Sequence, residues 1–216
     1  MRNLNLVEGC AVVGGQPVAV RERGDYFVHF MAAWRDQDGK EHNVRVNARG
    51  ALAKAIRVNL RRGDPVMFTG ELQFRDEYFT VRLINIYRLR NELPIEAVGK
   101  RLFLVGGWVH WTFHGYAASD TYSMDNQDTV TLLINLEGQR HPRKYAYTLH
   151  AFRPIQQGSA LIAQGQLAPG VPAHKTHIAP VLAPDILLEG APVLHHVPES
   201  SEGPANEVAA SLASHH

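Results

Sequence analysis

Within the first ninety residues, one helical pattern interrupts a series of strand patterns, and its position restricts the possible folds more than any other feature. Residues 51–60 repeat apolar side chains at helical spacing, and a Gly-Asp-Pro sequence ends that helix. Strand patterns come before and after it: 4–13, 26–34, 44–49, 66–72 and 79–89. Three strands, a helix and two strands is the order of the OB-fold, a five-stranded and partly open barrel.

The clearest strand pattern covers residues 44–49, where apolar and polar side chains alternate strictly. Because side chains of a strand point alternately to its two faces, the two valines and Ala48 are predicted to face the core. Arg45, Asn47 and Arg49 then share the opposite face. This pattern predicts a polar, cationic surface on the third strand of the barrel.

A similar layout begins again after a predicted linker at 93–96. Strands are predicted at 102–111, 129–136, 145–152, 160–167 and 178–188, while residues 153–158 are too few for the helix. The sequence is therefore predicted to be all-β with one short helix. It divides into an OB-fold at 1–92, a second and divergent OB-fold at 93–190, and a disordered tail at 191–216 that is rich in Pro, Ser, Glu and Ala.

Charge is distributed unevenly along the chain, although the formal net charge is only +1. Residues 1–93 carry +4, residues 94–190 carry zero, and the tail carries −3. A basic surface is therefore expected on the first domain. The single cysteine, Cys10, excludes a disulfide framework and a multi-cysteine zinc site. No apolar run reaches the roughly 20 residues of a membrane span, so no membrane partner is expected.

Three strings of the first domain resemble bacterial single-stranded DNA-binding proteins (SSB). They are WRDQDGK at 34–40, GALAK at 50–54 and RGDPVMFTGEL at 62–72, and the resemblance covers residues 4–90. Asn43 and Arg49 stand where the family commonly carries aromatic residues, and the last residues do not match the family's acidic, Phe-terminated tail tip. Two OB-folds in one chain resemble the SSBs of the Deinococcus–Thermus group, which implies a homodimer.

The resemblance implies a surface that binds single-stranded DNA without reading its sequence. Such a surface needs cations for the phosphates and flat aromatic side chains for the bases. Trp34 matches a stacking tryptophan of the family, although a tryptophan at this point also suits a barrel core. Phe74 and Tyr78 suit either DNA contact or a cap on the barrel. The candidate DNA-binding residues of the first domain are Trp34, Arg35, Arg45, Asn47, Arg49, Phe74, Arg75, Tyr78 and Arg82.

The second domain also contains aromatic and basic residues that could extend a binding track. Its zero net charge weakens that interpretation, and a dimer contact or a barrel core explains the aromatic residues at least as well. The candidates of this domain are Trp108, Trp111, Arg140, Arg143, Lys144, Tyr145 and Tyr147.

Catalytic and metal-binding motifs are missing from the sequence. It has no Walker loop, HExxH, nucleophile elbow or G-x-G-x-x-G, so neither enzymatic activity nor a cofactor is predicted. The histidines at 174, 177, 195 and 196 lack nearby cysteines or clustered carboxylates, so no metal is predicted.

The expected function is binding and protection of single-stranded DNA in replication, repair or recombination, in the cytoplasm at the nucleoid. The alternative is an OB-fold accessory subunit of a replication or repair complex that binds DNA weakly or not at all. The same stacking surfaces also suit RNA, and replication or repair proteins are possible partners.

Overall fold

The computed structural model describes residues 3–22, 25–75, 78–90, 92–124, 126–136, 143–167 and 181–192. This part of the chain contains fourteen strands and one helix, and the strands belong to one continuous sheet that curls into two barrels. Among these residues, no helix is long and apolar enough to cross a membrane.

Barrel 1 is closed by five strands and carries one additional edge strand. The strands are β1 (Leu4–Val13), the edge strand β2 (Val18–Glu22), β3 (Asp25–Arg35), β4 (Glu41–Arg49), β5 (Pro65–Arg75) and β6 (Tyr78–Arg88). Strands β3, β4, β6 and β5 follow β1 around the barrel and return to it, and only the β4–β6 pair is parallel. Helix α1 (Gly50–Asn59) connects β4 to β5. This is the OB-fold arrangement that the sequence predicts.

Helix α1 begins without a connecting loop after β4. Gly50 has a φ of 59°, a left-handed conformation that glycine adopts without strain, so the chain turns from strand into helix at one residue. Ala53 and Ile56 lie on the buried side of α1, which covers one end of barrel 1. The opposite side of the helix is exposed.

Barrel 2 repeats this arrangement, with no helix among its described residues. Its strands are β9 (Trp108–Ala117), the short β10 (Tyr122–Met124), β11 (Gln127–Leu136), β12 (Arg143–His150), β13 (Ser159–Gln166) and β14 (Ile186–Pro192). A parallel bridge between Leu149 and Leu182 stands where the OB-fold has its parallel pair. Between β12 and β13 the chain is irregular, and Ile155 is its buried apolar residue.

The two barrels are joined through their first strands. Residues Leu4 to Cys10 of β1 pair antiparallel with Trp108 to His114 of β9, so one sheet continues from barrel 1 into barrel 2. The chain between the barrels forms a hairpin of β7 (Ile95–Val98) and β8 (Arg101–Val105), and β8 pairs in parallel with the end of β3. Gly107 follows this hairpin where a Cβ would lie 2.6 Å from the Cβ of Trp34.

The predicted fold class, with two tandem OB-folds and one helix, is confirmed, and three local predictions are corrected. The strand predicted at 102–111 is two strands, because a turn at the glycines 106 and 107 separates β8 from β9. The predicted linker at 93–96 contains the start of β7. No strand was predicted for the residues that form β2. The tail from 193 onward, like residues 178–180 of the predicted last strand, lies outside the described residues.

Candidate nucleic-acid interface

The outward side of β4 presents the three polar residues that the alternation predicts. Arg45 and Arg49 are exposed, Asn47 is half-buried, and the apolar residues between them are buried. The strand is paired on both sides, with β3 and with β6, so its backbone is fixed. Its outward side chains therefore project from a rigid platform.

Cross-strand pairing continues this surface onto β3 and β6. The β3 residues directly opposite Arg45, Asn47 and Arg49 are, in that order, Met31, His29 and Phe27. On β6, Arg82 lies opposite Asn47, and Tyr78 projects to the same side as Arg82 because it lies four residues earlier in the strand. We call this surface the cationic face; it consists of Phe27, His29, Met31, Arg45, Asn47, Arg49, Tyr78 and Arg82.

The two arginines of β4 are the free cations of this face. Within the described residues, neither Arg45 nor Arg49 forms an ion pair. The Arg49 guanidinium carbon lies 4.7 Å from the centroid of the Phe27 ring, a cation–π contact that orients the guanidinium over a flat apolar surface. Partial burial, and then the charge of Arg45, lower the pKa of His29, so this imidazole is neutral at pH 7.

Trp34 does not belong to this face. Its side chain is only 2% exposed, because it shares the core side of β3 with Val28, Phe30 and Ala32. Its indole stacks on the imidazole of His42, with ring centroids 5.3 Å apart. The structure therefore removes Trp34 from the residues that can stack on a base and supports the core interpretation.

Arg35 is held by two carboxylates. It donates to Glu41 at 2.9 Å and to Glu96 of β7, so its charge is neutralised and it ties the β7–β8 hairpin to β3. The structure thus gives Arg35 a contact between elements and leaves its guanidinium outside the cationic face.

The β5–β6 hairpin separates its two candidate aromatic residues. Tyr78 is 64% exposed, whereas Phe74 is half-buried and meets Phe79 edge-on with ring centroids 5.5 Å apart. Phe74 and Phe79 are directly opposite each other on the side of the hairpin that faces away from Tyr78. Phe74 therefore packs at the barrel end, as the capping interpretation expects. The side chain of Arg75 lies outside the described residues.

A buried carboxylate stands where the cationic face reaches the second barrel. Glu71 of β5 is 7% exposed and lies directly opposite Arg82. Its oxygens accept bonds from Arg82 at 2.8 Å, from Arg143 of β12 at 3.0 Å and from the Tyr145 hydroxyl at 2.7 Å. Burial, followed by the adjacent Glu71, raises the pKa of Tyr145, so its hydroxyl keeps the proton that it donates. We call this group the Glu71 cluster; it consists of Glu71, Arg82, Arg143 and Tyr145.

A second polar contact joins the barrels next to that cluster. The Tyr147 hydroxyl donates to the Leu72 carbonyl oxygen at 2.6 Å, and the side chain of Asn5 bonds both to the Leu72 backbone and to that hydroxyl. Burial raises the pKa of Tyr147 far above its usual range. The buried polar groups of Asn5, Leu72 and Tyr147 thus satisfy one another, which fixes one barrel against the other.

Three of the four candidate aromatic residues of barrel 2 form a stack with Phe113, inside the barrel and at the junction. Trp111 stacks on Phe113, Phe113 on Tyr147, and Tyr147 on Tyr145, with ring centroids 4.7, 4.5 and 6.2 Å apart. Trp111 and Tyr147 are buried, so they cannot stack on a base and belong to the barrel core. The core alternative therefore holds for these two residues, while Tyr145 is engaged by Glu71.

Of the remaining candidates of barrel 2, the structure describes Lys144 and Trp108, which lie on different strands. Lys144 is exposed on β12, and Trp108 is half-buried beside His110 on the outer side of β9. Arg140 lies outside the described residues, as do the histidines at 174, 177, 195 and 196. In the part of the chain that the structure describes, no group of three or more His, Cys, Asp or Glu side chains is arranged to hold a metal ion.

Sequence reasoning missed the residues of β3 on the cationic face and Glu71. Phe27, His29 and Met31 alternate with buried residues, so assigning the two faces of β3 by period two would have found them. Glu71 carries no such signal, because its partners Arg143 and Tyr145 lie more than seventy residues away in sequence.

Comparison with known proteins finds similarity in structure. No model of a known protein family matches the chain, and no curated protein matches it in sequence. The wild-type single-stranded DNA binding protein from Thermus aquaticus is similar in structure, with a TM-score of 0.58 and 15% identity over 88% of this chain and 95% of that one. A deletion mutant of the Thermus aquaticus protein gives a TM-score of 0.54 and 16% identity over 92% and 98% of the two chains. The likeness extends over both barrels and supports the tandem OB-fold.

Proposed function

We propose that this tandem OB-fold protein binds single-stranded DNA without reading its sequence and protects it during replication, repair or recombination. The observation that carries the proposal is the cationic face, where Arg45 and Arg49, which have no ion pair within the described residues, lie directly opposite Met31 and Phe27 on the paired strand. The two Thermus aquaticus structures reported above are named as single-stranded DNA binding proteins. In this proposal the protein is a binding protein and not an enzyme, and it acts in the cytoplasm at the nucleoid.

The chemistry of the face suits a single strand. Arg45 and Arg49 present forked guanidinium groups that match phosphate oxygens, and Tyr78 presents a mostly exposed ring to a base. The Arg49 guanidinium carbon lies 4.7 Å from the Phe27 ring centroid, and a base can stack on this guanidinium where the family commonly has an aromatic residue. Phosphate contacts and stacking on a ring or guanidinium plane do not depend on which base is present, so binding without sequence preference is expected.

The decisive experiment is fluorescence anisotropy of labelled poly-dT, titrated with the protein at several salt concentrations. The wild-type protein should bind, with an affinity that falls as salt rises, and Arg45→Gln with Arg49→Gln should reduce the salt slope by about 1.4, or 0.7 per phosphate contact. Arg153→Gln removes an exposed arginine of barrel 2 and is the matched control. Absence of binding at low salt would reject the proposal and favour the accessory-subunit alternative, and poly-U tests RNA in the same assay.

We also propose that the protein is a homodimer that associates through the outer side of the shared sheet. One row of that side crosses both barrels, because pairing places four residues side by side: Tyr87, Met67, Cys10 and Trp108. Tyr87 is 62% exposed and Met67 42% exposed, and farther along the sheet Ile186 and Leu188 of β14 are exposed too. A group of exposed apolar side chains on a paired sheet is typical of a protein interface.

Sedimentation velocity over a range of protein concentrations tests the dimer. The wild-type protein should sediment as a dimer, and Met67→Glu should shift it toward the monomer, because a carboxylate at the centre of the row would lose its hydration on association. Met67→Ala is the control for loss of the side chain alone. A wild-type protein that remains monomeric at every concentration would contradict the proposed dimer.

A further inference from the structure

A second concentration of positive charge lies at the end of barrel 1 where α1 terminates. It is about 20 Å along β6 from Arg82, since six residues separate Arg82 from Arg88. None of its residues belongs to the cationic face, and all of them are exposed. We call it the basic end; it consists of Arg57, Arg61, Arg62, Arg88, Arg90, Lys100 and Arg101.

Contacts between three segments of chain hold the basic end together. The backbone N–H of Arg61 donates to Asp64 at 2.7 Å, and Arg88 forms an ion pair with the same carboxylate at 3.0 Å. The guanidinium of Arg62 donates to the carbonyl oxygen of Lys100 at 2.7 Å. These bonds bring the segment after α1, the end of β6 and the β7–β8 turn together, so the cations form one surface.

This surface has a large excess of positive charge. Asp64 is the carboxylate in contact with it, and even with Glu92, which follows Arg90 closely in sequence, the seven cations exceed the carboxylates by five. Within the described residues, Arg57, Arg90 and Arg101 have no ion pair. A pocket of about 470 Å³ also opens here, and its lining consists of Asn59, Arg88, Leu89 and Arg90.

The composition of the basic end indicates which part of a polyanion it fits. Its seven residues are all cationic and include no aromatic ring, and Tyr87, although next to Arg88, faces the other side of β6 opposite Met67. Arginine guanidinium groups match phosphate oxygens in forked geometry. A surface of this kind can hold a sugar–phosphate backbone, and it offers the bases no aromatic ring to stack on.

We propose that the basic end is a second nucleic-acid contact surface, which binds the phosphate backbone of the same nucleic acid whose single-stranded part the cationic face holds. This inference rests on the proposed function, since it assigns both surfaces to one ligand. A phosphate contact needs no unstacked base, so a single strand and a duplex can both make it. The backbone at the basic end therefore comes either from the same single strand or from a duplex that flanks it. The two sources share their chemistry and differ in charge density.

Three labelled probes distinguish these sources. The first is a poly-dT of about 8 nucleotides, within the range that one OB-fold occupies; the second is a poly-dT of about 30 nucleotides, and the third carries the short poly-dT next to a duplex. The basic-end variant is Arg90→Gln with Arg101→Gln, and Arg153→Gln is again the control. The wild-type protein should bind one of the longer probes more tightly than the short one. On that longer probe the variant should bind about tenfold more weakly than the wild type, and its salt slope should be lower by roughly 1.4. On the short probe the variant and the wild type should bind equally well.

The outcomes separate this inference from the proposed function. If the wild-type protein binds the short probe and the variant binds all three probes equally well, the basic end does not contact nucleic acid, and an acidic protein partner becomes the alternative. If the short probe fails to bind but a longer probe binds through Arg90 and Arg101, the cationic face is refuted and the basic end stands. A gain seen only with the duplex probe identifies flanking duplex as the source.

Discussion

Replacing Glu71 by glutamine tests the junction between the barrels, because this carboxylate is the acceptor that both barrels share. It accepts bonds from Arg82 at 2.8 Å, Arg143 at 3.0 Å and Tyr145 at 2.7 Å while only 7% exposed. Glutamine keeps one acceptor oxygen but turns an amide donor toward the donors of Arg82 and Arg143, so at least one bond is lost.

The expected cost is the loss of one charge-assisted hydrogen bond, about 2 kcal/mol. The partial exposure of Arg143, whose side chain is 43% accessible, keeps the cost below that of a fully buried ion pair. For a chain of this length the melting temperature should fall by about 4–8 °C. Thermal denaturation followed by circular dichroism measures it, with Glu41→Gln at the exposed Arg35 pair as the control.

The same substitution has a second expected effect. Without the carboxylate, Arg82 and Arg143 lose the charge that neutralises them, so phosphates can compete for both guanidinium groups. The salt slope of poly-dT binding should then increase by about 0.7 for each phosphate gained. A variant that melts with the wild type and keeps the wild-type slope would refute both the bonding and the charge argument.

Three further predictions follow from the buried and half-buried groups. Trp34→Ala should lower the free energy of unfolding by about 3–5 kcal/mol in urea, since it empties a core site; unchanged stability would contradict its burial. Tyr147→Phe should cost about 1 kcal/mol in the same assay, because it removes the bonds that the hydroxyl makes with Asn5 and with the Leu72 carbonyl oxygen, which keep only their bonds to each other. DNA affinity should rise as pH falls from 7 to 5. The lowered pKa of His29 keeps it neutral at pH 7, and its protonation adds a cation that phosphate favours; His29→Gln should reduce this pH dependence, and an unchanged profile would exclude His29.

The sequence was sufficient for the architecture because the informative signals are local. The alternation in β4 and the position of α1 each depend on about ten neighbouring residues, and together they specify the OB-fold order. The division of 102–111 into β8 and β9 was missed, since Gly106 and Gly107 interrupt an otherwise continuous apolar pattern. Two glycines within a strand pattern indicate a turn more strongly than the surrounding valines indicate continuity.

The candidate site was predicted in part, and Trp34 shows why. Its resemblance to a stacking tryptophan favoured DNA contact, but the period-two pattern of β3 puts it on the side of Phe30 and Ala32. Applying to β3 the alternation that identified Arg45 and Arg49 on β4 would have assigned Trp34 to the core. The Glu71 cluster depends on how two barrels meet, which no short pattern in either barrel specifies.

The pairing of β1 with β9 has a consequence for how such a chain can evolve. When identical subunits meet through such strands, every substitution appears in every copy at once, so no copy can change alone. Here β1 and β9 belong to one polypeptide, so dilution cannot separate them. Each half can therefore accumulate its own changes, and the two halves differ in net charge, with +4 in residues 1–93 and zero in 94–190.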